Sequence, residues 1–215
     1  MRILPAAAAV IALLLGLAAH AQENPQSTPV YREGVHYTEL AEPVAVEVPN
    51  KIEVTEVFWY GCGHCFQFEP RVLKWKEDLP EDVNFVQIPA IWSRPMEAHA
   101  RAYYTAAQLG ILDQVHQAVY NALHIDRNPL NNPEAVAALF ADFGADEAKA
   151  VEVFNSSQVT ALLREADAKA RGYQITGTPQ LVVNGRYRIE ASQQVPQSEM
   201  FNVVDFLVER VRAEK

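Results

Sequence analysis

The stretch EVFWYGCGHCFQFEP, Glu56–Pro70, decides how this chain is read, because it holds both cysteines of the 215-residue sequence, Cys62 and Cys65. Upstream, KIEVTEVFWYG from Lys51 is rich in β-branched and aromatic residues. Its last five residues, Val57 to Gly61, are nearly all apolar, as in a central strand covered on both faces. Downstream, Phe66, Phe68, Val72, Leu73 and the segment Trp75 to Leu79 give a helix an apolar face that ends at Pro80. Pro70 falls inside that helix and predicts a kink. The thiols therefore sit where a strand turns into a helix.

Working outward, VNFVQIPAIW predicts a second strand over Val83 to Ile88, so strand, helix and strand form a parallel crossover. From about Met96 to Arg171 the period is helical. Gly110, the Asn132-Pro133 cap and first-turn pair, Gly144 and Gly172 mark the breaks between helices. QLVVNGRYRI then alternates into a hairpin turning at Asn184-Gly185, and Ser198 to Ala213 is a closing amphipathic helix. The pattern is an α/β fold with a block of helices placed between its strands. It has no internal repeat and no phosphate-binding Gly-rich loop.

The first residues predict export. Arg2 precedes an apolar run from Ile3 to Ala18, and Ala19-His20-Ala21 supplies small residues for signal-peptide cleavage after Ala21. Residues 22–32, beginning QENPQSTPV, read as a flexible polar leader. The formal charge of −9 argues against nucleic acid as a partner. An exported chain occupies a compartment that permits disulfides, where cysteines usually come as several stapling pairs.

Three readings compete for Cys62-Gly63-His64-Cys65. Zinc needs four ligands, and neither a second cysteine pair nor a spaced histidine pair is present among His36, His99, His116 and His124. A structural disulfide would close a loop too short to constrain much of the unfolded chain. A redox dithiol fits the placement. At a helix N-terminus, unpaired N–H groups and the helix dipole favour a thiolate at Cys62. Cys65, one turn on, points back under it, and a protonated His64 adds a further positive partner. Whatever stabilises that thiolate also favours the reduced protein, which makes its disulfide oxidising.

With these residues in view, the chain resembles the DsbA thiol-disulfide oxidoreductases of the bacterial periplasm, within the thioredoxin-like superfamily. The resemblance runs from about Glu33 through EGVHYTELAEPV, FWYGCGHCFQFEP, LPEDVNF, the helical block and YQITGTPQLVVNG. It implies a thioredoxin-like domain over 33–93 and 159–215, interrupted by a helical insertion domain over 94–158. Cys62 would attack and Cys65 resolve, with Gly63 and His64 between them. Thr178-Pro179 would form the substrate-binding cis-proline loop, and Glu56 would be the buried acid that takes the Cys65 proton. Glu69 matches a second acid, on the active-site helix.

The implied partners are reduced secreted proteins and a membrane reoxidase of the DsbB type, with no metal or organic cofactor. The chain departs from the family in three places. Gln87 stands where a basic companion of Glu56 is usual, Gly63 where Pro is familiar, and Thr178 where Val is familiar. The last two are shared with disulfide isomerases. An isomerase or reductase, and a peptide-binding chaperone with a structural disulfide, therefore stay open as alternatives.

Overall fold

The computed structural model describes residues 31–215, so the signal peptide and the leader up to Val30 lie outside the described residues. Tyr31, the penultimate residue of the expected leader, is buried: its ring packs edge-on to Phe206 and its hydroxyl donates to Glu199.

Five strands form one sheet, β1 (Thr38–Glu39), β2 (Ile52–Phe58), β3 (Val83–Pro89), β4 (Gln180–Val183) and β5 (Tyr187–Glu190), in the order β1-β5-β4-β2-β3. β2 lies parallel to β3 and antiparallel to β4, and all seven of its residues are buried. The helix between them, α1 (Gly63–Glu77), runs without interruption through Pro70. The hairpin turn has Asn184 at φ 52° and Gly185 at φ 63°, both in the left-handed region that the Asn-Gly pair tolerates. Arg186 N–H donates to the Val183 carbonyl and closes the turn. β1 was not anticipated; two residues are too few to show a period.

Five consecutive helices separate β3 from β4: α2 (Arg94–Gln108), α3 (Leu112–His124), α4 (Pro133–Ala141), α5 (Glu147–Phe154) and α6 (Ser157–Gly172). Their breaks follow capping chemistry. Asn132, Asp146 and Ser156 each accept an N–H of the following first turn, while Gly110 and Gly144 take positive φ at helix ends. Asn155 closes α5, and Ser156 caps α6. The last helix, α7 (Met200–Ala213), begins two residues later than the sequence suggests.

Period two along β2 assigns its side chains to opposite faces. Ile52 and Val54 pack with Phe68 and Val72 of α1 and with Val204 and Leu207 of α7. On the other face Val57 packs with Ala166 and Ala170 of α6. A third apolar cluster, built from Tyr103, Val115, Val119, Leu130 and Phe140 of the helical block, extends to Phe58, Tyr60 and Cys65. The inserted helices thus supply the surroundings of the second thiol.

Candidate active site

Cys62 is the N-cap of α1, with extended backbone at φ −84° and ψ 117°. Its Sγ accepts the Cys65 N–H at 3.4 Å, and its thiol donates to the Thr178 carbonyl at 3.3 Å. The turn into the helix is set by aromatic packing. A Cβ on Gly61 would lie 2.4 Å from the Trp59 ring, and Trp59 is held by its indole N–H on His99 Nδ1 at 2.9 Å.

The half-buried Cys62 thiol is brought down to about 5 from the ordinary thiol range. The hydrogen bond from the Cys65 thiol contributes most, outweighing the desolvation that acts against it; the Thr178 side chain and the Cys65 and His64 N–H groups add to it. Cys65 moves the opposite way. It is fully buried, and desolvation, its hydrogen bond to Cys62 and the charge of Glu56 all hold its proton on. Both are free thiols in this structure. The two sulfurs thus divide the labour, the half-buried one primed to ionise and the buried one holding its proton.

Glu56 is buried on the α1 face of β2, directly across from Gln87 in the parallel register. Gln87 Nε2 donates to its Oε2 at 2.8 Å, and Oε1 has no partner. Desolvation, seconded by the charge of Glu69, raises Glu56 to about 8 against the weaker effect of that one amide donor. Glu53, three residues earlier and also buried, has more partners. Its carboxylate accepts from Glu47 N–H, Thr55 Oγ1 and Tyr173 Oη and lies 3.7 Å from Lys169 Nζ. A buried carboxylate with a single donor is pushed towards its protonated form.

His116 completes the region and was not singled out from sequence. From α3 it reaches Tyr60 Oη with Nδ1 at 2.6 Å and stands 3.4 Å from Glu69 Oε1 with Nε2, a contact not aligned as a hydrogen bond. Burial keeps the Tyr60 phenol protonated, and either group can be the donor in its bond with Nδ1. His124 similarly bonds the Tyr60 carbonyl at 2.7 Å and stacks on Phe66 at 4.7 Å. A lone histidine on a helix face carries no signal in sequence, which is why neither was given a role beyond the zinc question.

The remaining expected residues fall as follows. Thr178-Pro179 is a cis peptide beside Cys62, and His64 reaches Cys62 through its main-chain N–H, its side chain being exposed on the first turn. Gly63 is exposed, with open space where a Cβ would be. Among the described residues, no three His, Cys, Asp or Glu side chains cluster to hold a metal.

A dithiol split in this way at the head of α1, beside a cis-proline loop and on a five-stranded mixed sheet, defines a thioredoxin-like thiol:disulfide oxidoreductase. The DSBA-like thioredoxin domain family matches residues 53–207. The thiol:disulfide interchange protein DsbA of Pseudomonas aeruginosa is 38% identical over 203 residues, covering 94% of this chain and 93% of its own length. The crystal structure of Pseudomonas aeruginosa DsbA superposes with a TM-score of 0.82 at 39% identity, covering 86% of this chain and 96% of that one. That of the oxidoreductase DsbA from Xylella fastidiosa does so at 0.80 and 32%, covering 86% and 99%. The chain belongs to the DsbA family.

Proposed function

We propose that the chain, in its Cys62-Cys65 disulfide form, donates that disulfide to reduced secreted proteins in the periplasm. A substrate thiolate attacks Cys62 Sγ, the Cys62–Cys65 bond breaks, and Cys65 leaves as a thiolate that takes a proton. A second substrate thiolate then attacks the substrate sulfur of the mixed disulfide. Cys62 departs as a thiolate, so the substrate is oxidised and the protein gains two electrons. Residue 178 presents its main chain to the substrate peptide, Glu56 hands its proton to the departing Cys65 sulfur, and His64 and Gly63 shape the exposed first turn. The helical segment 94–158 acts as a domain inserted between 33–93 and 159–215. A membrane reoxidase of the DsbB type restores the disulfide.

The observation that carries this reading is the opposed ionisation of the two thiols, Cys62 lowered to about 5 and Cys65 raised. A leaving thiolate stabilised at Cys62 favours release of an oxidised substrate. Cys65→Ser is expected to accumulate mixed disulfides with exported proteins through Cys62, and Cys62→Ser to lose exchange. Thiol trapping in cells is expected to find the pair mostly oxidised. A mostly reduced pair would favour the isomerase or reductase that Gly63 and Thr178 suggest, and undiminished activity in Cys62→Ser would favour a chaperone.

A further inference from the structure

We infer that Glu190 makes this protein favour substrates carrying a basic side chain close to the reacting cysteine, an inference that rests on the proposed donor function. A groove of about 520 Å³ runs past the Thr178-Pro179 loop. Because the Cys62 thiol lies against the Thr178 carbonyl at 3.3 Å, a peptide extended along residue 178 to reach that sulfur passes through this groove. One side is closed by His64, whose carbonyl accepts Gln197 Nε2 at 3.0 Å. The other is formed by Glu190 and Gln180, directly paired across the β4–β5 ladder.

Glu190 is the carboxylate of this lining, which among the described residues includes no lysine or arginine. Its position is held. Gln180, only 3% exposed, donates Nε2 to Glu190 Oε2 at 2.9 Å and to Thr176 Oγ1 at 3.4 Å, while its own buried Oε1 has no partner. A flipped amide would set an oxygen against the carboxylate, so the carboxylate fixes the amide and the amide fixes the carboxylate. Glu190 is exposed, and its Oε1 takes part in no hydrogen bond or ion pair among the described residues. Arg188, on the same face of β5, does not neutralise it; its guanidinium donates to the Tyr173 and Gln174 carbonyls. The groove therefore presents an oriented, unpaired negative charge beside the path to the reactive sulfur. An ammonium or guanidinium on the substrate complements it, and a carboxylate there is repelled.

The test uses the oxidised, full-length mature protein and synthetic dithiol peptides in which one position, scanned from three residues before to three after the attacking cysteine, is Lys, Ala or Glu. At one or more positions the wild-type kcat/KM is expected to favour Lys over Glu by about two- to fivefold, as for a single solvent-accessible ion pair. The ratio should shrink with added salt. It should fall to near one in Glu190→Gln and invert in Glu190→Arg. Equal rates for Lys and Glu peptides at every position, or a wild-type ratio retained by Glu190→Gln, overturns the inference while leaving disulfide donation intact. Failure to oxidise any peptide removes donation itself, and the inference with it.

Discussion

At the scale of single residues, Cys62 differs from an ordinary thiol because a helix begins immediately after it. The donors that surround its sulfur are the Cys65 thiol, the Thr178 side chain and the N–H groups of residues 64 and 65. Titration of thiolate absorbance in the reduced protein is therefore expected to give a midpoint of about 5, and a midpoint in the free-thiol range would remove the basis for an oxidising disulfide. The same list of donors gives a prediction for Gly63. Its N–H is absent from the groups that lower Cys62, it occupies the first helical position, and nothing lies within 4 Å of its would-be Cβ. Proline is well suited to that position and lowers the entropy of the unfolded chain. Gly63→Pro is expected to leave the Cys62 midpoint within about half a unit and to raise stability by about 0.5–1 kcal/mol, measured by denaturant unfolding of the reduced protein. A large rise in the midpoint would mean that residue 63 contributes to holding the thiolate.

At the scale of elements, much of the architecture was legible because each signal was local. β2 falls in the β-branched and aromatic stretch from Lys51 but ends at Phe58, three residues short of the apolar run to Gly61, Asn132 caps its helix where its chemistry fits, and Asn184-Gly185 turns the hairpin. The hairpin also contains a contact that no local pattern could show. Val44, from the segment after β1, donates its N–H to the Gly185 carbonyl at 2.9 Å, and a Cβ on Gly185 would lie 1.9 Å from the Val44 carbonyl oxygen. Gly185 is thus required twice, by its φ of 63° and by the backbone packed on it. Gly185→Ala is expected to cost about 2–4 kcal/mol in unfolding free energy, beyond an ordinary turn substitution, because the clash is with main chain that cannot rotate away. A loss under about 1 kcal/mol would show that the Val44 segment readily detaches. In the site, Cys62 and Cys65 were visible as a spacing and Glu56 through the family resemblance. His116, Tyr60 and the donors around Glu53 were not, since their meaning lies in contacts between residues more than fifty positions apart or in burial that a strand residue shares with its neighbours.

At the scale of the whole molecule, three apolar clusters meet around β2, and the one built from the inserted helices runs up to Cys65. The insertion therefore removes water from beneath the dithiol, which is why Cys65 keeps its proton and why Glu56, on the strand that leads into the site, does too. The consequence for stability can be signed. An ordinary glutamate ionises near 4.5, whereas Glu56 in the fold is raised to about 8. Between those values the folded protein holds a proton that the unfolded chain has released, so stability falls as pH rises through this window and levels off above it. By pH 7 the loss relative to acid is about 3 kcal/mol for this one group. Glu56→Gln keeps a neutral amide opposite Gln87 and has no proton to lose. Its unfolding free energy, followed from pH 4 to pH 8 in the reduced state, is expected to match wild type at the acid end. It should exceed wild type progressively toward neutrality, while exchange through Cys65 slows for want of the proton. Were the two curves parallel across that range, the carboxyl would be ionising as it does in water, and the dry interior assigned to the inserted helices would not exist at β2.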